Sequence, residues 1–195
     1  MSVRGCVRGA VLLGTAVGFA LSGDAGATEP LRIGGLEVRG SGPSYIDLGI
    51  GVFDVLGESR ENRNRSAAGR VEFRWGEKLF FIGPAIGVMA NTDGGVYGYV
   101  GLYADIAYDR FIITPSGGVG AYYRGNSKDL GGTLEFRIGI GLAYEFQDQS
   151  RLGLRLDHMS NARLHDENPG QEEVLVTYTI PLSNLFGGRL SEPRR

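Results

Sequence analysis

His158, Ser160 and Glu172 are the side chains of this sequence whose types and spacing can do chemistry together. A serine hydroxyl attacks a carbonyl when a neighbouring base removes its proton, and an imidazole is a common base for that step. A carboxylate on the other ring nitrogen fixes the tautomer and stabilises the cation that forms. His158 and Ser160 stand at i and i+2, which on a β-strand puts both on one face. An H-x-S pair also arises by chance, and polar residues at strand tips ordinarily meet water. The pair by itself therefore leaves catalysis and a solvated strand end both open. What decides is the set of elements that must position the three.

Those elements are strands. The chain holds 33 glycines, well above the usual share of about 7%, and they alternate with large apolar residues rather than forming a linker. Eight segments show a period of two: Tyr45–Val55, Ala67–Trp75, Phe80–Ala90, Val96–Tyr108, Phe111–Tyr123, Thr133–Phe146, Arg151–Ser160 and Glu172–Leu182. In the sixth, Leu134, Phe136, Ile138, Ile140, Leu142, Tyr144 and Phe146 make one face, and Glu135, Arg137, Gly139, Gly141, Ala143 and Glu145 the other. In the seventh, Leu152, Leu154 and Leu156 oppose Arg155 and Asp157, and the same parity carries His158 and Ser160 to the leucine side. Glu172 shares parity with Val174, Val176 and Tyr178. The segment Asn161–Gln171 connects the two, so one hairpin gathers all three polar groups on its apolar face.

A soluble lipocalin-like barrel also alternates, with its apolar face inward. Here the polar face mixes small residues with charges of both signs, as a narrow lumen does, and aromatics gather near segment ends. The reading is an all-β, eight-stranded antiparallel up-and-down transmembrane β-barrel over residues 28–186, integral to a Gram-negative outer membrane. A secreted lipid-binding barrel is the soluble rival. Residues 1–27 read as a signal peptide: Arg4 and Arg8, the apolar run Ala10–Leu21, then Ala25-Gly26-Ala27. That run is roughly 12 residues, short of the ~20 a spanning helix needs. Cys6 lies inside it, so a mature chain has no thiol chemistry, disulfide or cysteine-held metal. An even strand number then puts both termini in the periplasm and the end of the seventh strand at the outer leaflet, where lipopolysaccharide resides. The formal charge is −2, which gives no footprint for nucleic acid. Polar groups on a lipid-facing wall are costly without a purpose, which favours catalysis, although a non-catalytic barrel (an adhesin, resistance factor or structural protein) remains the rival from another class.

The run His158-Met159-Ser160-Asn161, followed by Asn168-Pro169-Gly170 and Glu172, resembles the active-site signature of the outer-membrane lipid A 3-O-deacylases (PagL type). Tyr178-Thr179-Ile180-Pro181-Leu182 is similar to that family's closing strand. The resemblance implies Ser160 as nucleophile, His158 as base and Glu172 as its orienting partner, with no metal or cofactor. It implies that Asn161 binds an oxyanion or shapes the site, and that Asn168 and Gly170 shape the loop. The implied reaction is hydrolysis of the 3-position ester of lipid A, whether by a monomer or a homodimer. Two positions depart from the pattern. The family commonly has a small residue three places after the serine, where this chain has Arg163, whose side chain would distort an oxyanion hole or hold a lipid A phosphate, the plainer reading being a solvated loop arginine. Outer-membrane barrels usually end on an aromatic, and here residues 187–195 follow Phe186 as a periplasmic tail.

The remaining candidates have plainer readings. His165 is a loop histidine that stands as a substitute for His158 only in principle, and Glu173 has the parity of the lumen. Asp93-Gly94-Gly95 reads as a hairpin turn, and Glu58–Arg65 as a charged extracellular loop. The glycine-rich strings around Gly49 and Gly139 lie in strands with no helix after them, which excludes a dinucleotide fingerprint.

Overall fold

The computed structural model describes residues 28–57 and 65–186. The expected signal peptide, the tail 187–195 and the Glu58–Arg65 loop apart from Arg65 lie outside the described residues. The wall is built from β3 (Tyr45–Phe53), β4 (Ser66–Arg74), β5 (Gly83–Asn91), β6 (Val96–Tyr103) with β7 (Ile106–Tyr108), β8 (Phe111–Tyr123), β9 (Leu134–Glu145), β10 (Arg151–Ser160) and β11 (Gln171–Pro181). Every neighbour is antiparallel, and β11 pairs back onto β3, so the sheet closes into an eight-stranded barrel. A closed barrel leaves no unpaired edge, the condition for strands to cross lipid. No helix among the described residues is long and apolar enough to cross a membrane.

The two faces match the alternation. Leu48, Ile50, Val71, Val100, Leu102, Ile138, Ile140, Leu154 and Val176 are exposed on the outer wall. Trp75, Tyr108, Phe111, Tyr144, Phe146 and Tyr178 ring the end away from His158, as an interface girdle does. Inside, most of the charges pair, while Glu135 and Glu173 are buried without a salt bridge among the described residues. Arg70 bridges Asp47 and Asp157, Arg137 bridges Glu72 (2.7 Å) and Asp157 (3.4 Å), Arg155 binds Asp157 (2.9 Å), and Tyr99 donates to Glu72 at 2.6 Å. Pairing is what makes so many buried charges tolerable, since removing one partner strands the other in a dry interior. Above this lattice, at the mouth nearest His158, the lumen turns apolar with Phe53, Met89, Tyr97, Tyr122, Leu130, Met159 and Leu175.

Several boundaries differ from the sequence reading. The third segment starts at Gly83 because Phe80 and Phe81 take φ of 47° and 71° in a two-residue turn closed by reciprocal Leu79–Ile82 hydrogen bonds at 3.0 Å. That is the conformation of a type I′ hairpin. The first ends at Phe53 because Asp54 has φ 56°. The fourth breaks between Tyr103 and Ile106 opposite Pro115, which has no N–H for the ladder. The sequence reading also missed a hairpin, β1 (Leu31–Ile33) with β2 (Leu36–Val38), that pairs onto β7. A short helix α1 (Leu182–Leu185) follows β11.

Candidate active site

Residue alternation along β10 puts Arg151, Arg155, Asp157 and Met159 in the lumen and Leu152, Leu154 and Leu156 on the lipid side. His158 and Ser160 continue the lipid-side face, half-buried at its end. On β11, Gln171 and Glu173 point inward and are buried, while Glu172 faces out above Val174 and Val176. The antiparallel register sets His158 directly opposite Glu172. Their side chains meet with His158 Nδ1 3.1 Å from Glu172 Oε1, with 43% and 30% of the side chains exposed. That contact leaves Nε2 as the ring nitrogen available to the serine. Ser160, two residues along the strand and opposite Phe136 on β9, makes no hydrogen bond to His158 among the described residues. Such a link commonly tightens only when substrate is bound.

Gly170 closes one side of the imidazole. Its φ is +61°, and a Cβ there would lie 3.1 Å from His158 Cε1. Glycine suits the position twice over, because the backbone is left-handed and an added Cβ would press on the imidazole. Asn161, expected to bind an oxyanion or shape the site, has its donors engaged in shaping. Its N–H goes to Asn168 Oδ1 (3.0 Å), and its Nδ2 gives one hydrogen each to Leu130 O (2.8 Å) and Glu167 O (2.7 Å). Its Oδ1 accepts from Arg163 N–H at 3.0 Å. Asn168 thus shapes the loop by accepting from the residue next to the serine. Asn161 is wholly buried, so this knot is a fixed part of the loop.

Ala162 and Arg163 follow at φ 54° and 63°, two left-handed non-glycine residues in succession, each costing about 1–2 kcal/mol of backbone strain. This explains why a small residue suits position 163. The N–H of Arg163 is taken by Asn161, and that of Ala162 has no partner among the described residues. The Arg163 side chain is exposed, and so is His165, whose ring lies against Gly132 on the loop between β8 and β9. His165 is thereby held on a different element from Glu172. Along the same outer wall, a cavity of about 330 Å³ is lined by Ile113, Ile140, Leu142, Leu154, Leu156 and Val174. It lies one step along the strands from His158, since Leu156 precedes it by two residues and pairs with both Ile140 and Val174.

The sequence reading missed four residues of this region: Leu130 and Gly131, whose backbone meets Asn161 and Glu167, and the pair Lys128–Asp54. Only the glycine left a trace in the sequence.

Comparison with known proteins agrees on one family. The family described as lipid A 3-O-deacylase (PagL) matches residues 52–181, which include all three candidate catalytic residues. A lipid A deacylase PagL of Bordetella bronchiseptica is 36% identical over 75 residues, 36% of this chain and 41% of that protein, so the match spans well under half of the relative's length. The crystal structure of the outer membrane enzyme PagL superposes with a TM-score of 0.56 at 22% identity, covering 71% of this chain and 99% of that one. A designed transmembrane β-barrel reaches 0.50 at 11% identity, covering 73% and 98%. These two likenesses concern the fold. The family match covers more than half of the chain, and the chain belongs to the lipid A 3-O-deacylase (PagL) family.

Proposed function

We propose that this chain hydrolyses the ester-linked acyl chain at the 3-position of lipid A, with Ser160 as nucleophile, His158 as base and Glu172 as the group that orients it. The observation that carries the reading is the His158–Glu172 contact at 3.1 Å on the lipid-facing wall. A polar pair is expensive on that surface, and its geometry is the one a serine hydrolase uses.

Ser160 Oγ attacks the acyl carbonyl carbon while His158 Nε2 takes the hydroxyl proton. Glu172 accepts a hydrogen bond from Nδ1–H and offsets the imidazolium charge. As the intermediate collapses, the bond from the carbonyl carbon to the sugar oxygen breaks and that oxygen takes the proton from His158. Water, deprotonated by His158 in turn, attacks the acyl-enzyme carbonyl; the bond to Ser160 Oγ breaks, Oγ takes the proton back from His158, and the fatty acid is released. The N–H of Ala162, without a partner among the described residues, is the candidate donor for the oxyanion, and the apolar cavity one step along the strands from His158 is the place for the acyl chain. Arg163, exposed beside this turn, is the candidate contact for a lipid A phosphate. With both termini in the periplasm, the site sits at the level of the outer leaflet, and substrate reaches it by lateral diffusion.

Ser160→Ala tests the reading. Free fatty acid should no longer be released from lipopolysaccharide, and mass spectrometry should find the 3-linked chain retained, while the heat-modifiable migration of the folded barrel persists. A variant that still deacylates at the wild-type rate eliminates Ser160 as nucleophile. Wild-type protein that leaves lipid A unchanged favours the non-catalytic barrel.

A further inference from the structure

The loop between β8 and β9, residues 124–133, crosses the mouth of the barrel on the side of the site, and its contacts reach both strands that carry the candidate triad. One arm runs to β10. Leu130 is wholly buried in the apolar cluster that also holds Met159, and its carbonyl accepts from Asn161 Nδ2 at 2.8 Å. Gly131 next to it has φ +90°, and a Cβ there would lie 2.0 Å from Glu167 O and 2.9 Å from Asn161 Nδ2. The loop backbone therefore seats directly against the turn that follows Ser160. The other arm runs to β11. Lys128 Nζ donates to Asp54 Oδ1 at 2.7 Å, and Asp54 is 1% exposed. The Asp54 N–H donates to Gln171 Oε1 at 3.1 Å, and the next N–H, that of Val55, donates to the carbonyl of Glu172 at 2.9 Å. The loop itself is held from behind. Tyr122 donates its hydroxyl to Lys128 O (3.0 Å), Asn91 Nδ2 donates to Ser127 Oγ (2.8 Å), and Asn126 N–H donates to Asp93 O (2.9 Å).

We infer that the 124–133 loop is a clamp that sets the distance between Ser160 and the His158–Glu172 pair, with Lys128 and Leu130 as positioning residues that touch no substrate. The inference rests on the deacylase reading of the site and adds to it the part that fixes its geometry. The physical reason is the thinness of the wall. Ser160 is the last residue of β10 and Glu172 the second of β11, so beyond them the ladder continues only at Gln171, opposite Met159, before the strands part. Two anchored arms restore that restraint, one through a buried carbonyl and one through an ion pair whose carboxylate is out of water. A small misplacement of a nucleophile costs turnover far more than it costs binding.

The test uses the full-length barrel in detergent micelles with a fluorophosphonate probe. Lys128→Met should slow phosphonylation of Ser160 and lower kcat on lipopolysaccharide, each by roughly tenfold or more, with KM within about twofold and heat-modifiable migration unchanged. Lys128→Arg, which keeps the ion pair, should recover most of the rate. Because Lys128→Met leaves Asp54 buried without its cation, the double variant Lys128→Met with Asp54→Asn serves if the single one does not fold, and the same loss is expected. Wild-type labelling and turnover in these variants would overturn the clamp, as would a loss that only tracks the fraction of folded barrel. Amide exchange over residues 161–172 separates this inference from the deacylase reading. If wild-type protein neither labels nor releases fatty acid, the deacylase reading falls. Faster exchange in Lys128→Met still upholds the clamp, and unchanged exchange removes it.

Discussion

Replacing Glu172 by Gln keeps the size of the side chain and removes its charge, so it isolates what the carboxylate does for His158. The Nδ1···Oε1 distance is 3.1 Å, and 43% and 30% of the two side chains are exposed. Unit charges about 4 Å apart attract by about 4 kcal/mol at the dielectric of ~20 found near protein surfaces, and by about 1 kcal/mol in bulk water. Partial exposure puts this pair between those limits. At about 1.4 kcal/mol per tenfold change in rate, losing the attraction in the transition state slows turnover by roughly fivefold to 10³-fold. The amide adds a second fault, because its NH₂ can donate to Nδ1 and hold the tautomer that cannot serve as base. In serine proteases the equivalent change costs about 10⁴. Glu172→Gln is therefore expected to lower kcat by about 10² to 10⁴ with KM little changed. The assay is fatty acid release from lipopolysaccharide in detergent micelles, with barrel folding checked by heat-modifiable migration. If Glu172→Gln keeps a third or more of wild-type kcat, the orienting role is wrong and the contact is no more than a surface pair.

Two further substitutions probe the backbone around the triad. Gly170→Ala places a Cβ 3.1 Å from His158 Cε1 at φ +61°, so stability should fall by about 1–2 kcal/mol. Turnover should fall at least tenfold through the displaced imidazole. Urea unfolding and kcat measured side by side check this, and equal small losses in both would contradict it. Arg163→Gly removes the side chain from a residue at φ 63° and should stabilise the loop by about 1 kcal/mol, with kcat equal to or above wild type. A KM that rises on this substitution for phosphorylated lipid A and stays at the wild-type value for dephosphorylated lipid A identifies Arg163 as a phosphate contact, and KM values unchanged for both remove that role.

The wall of the barrel was legible because its signal is a strict period of two that survives without any knowledge of neighbours. Leu152, Leu154 and Leu156 against Arg155 and Asp157 place His158 and Ser160 outside by counting, and the same count places Glu173 inside. The structure has both, with Glu173 2% exposed. The breaks in that period were harder to read. Phe80 and Phe81 are good strand residues by type, and only the closing of a two-residue turn drives them into left-handed backbone. The β1–β2 hairpin has three-residue strands, too short to show any period. What holds Asn161 is a pair of backbone carbonyls, Leu130 O and Glu167 O. Every residue type offers a carbonyl, so nothing in the sequence marks the two that are used.

The thinness of a barrel wall ties the outer face to the inner one. His158 is bracketed by Asp157 and Met159, both about 1% exposed in the lumen. Asp157 receives Arg70, Arg137 and Arg155, and Met159 packs in the cluster with Leu130. An outward side chain on a strand can be no steadier than the backbone between its two inward neighbours. Lipid tails are fluid and grip the outer face loosely, so the steadiness must come from inside. A lattice of buried charges is a poor source of net stability, but it fixes where each strand sits along its neighbours, because sliding β10 by one residue would part Asp157 from Arg70 on β4 and Arg137 on β9 at once. On that argument the ion pairs of the lumen and the apolar cap above them serve the site as much as the fold, since together they hold the short stretch of backbone from Asp157 to Asn161.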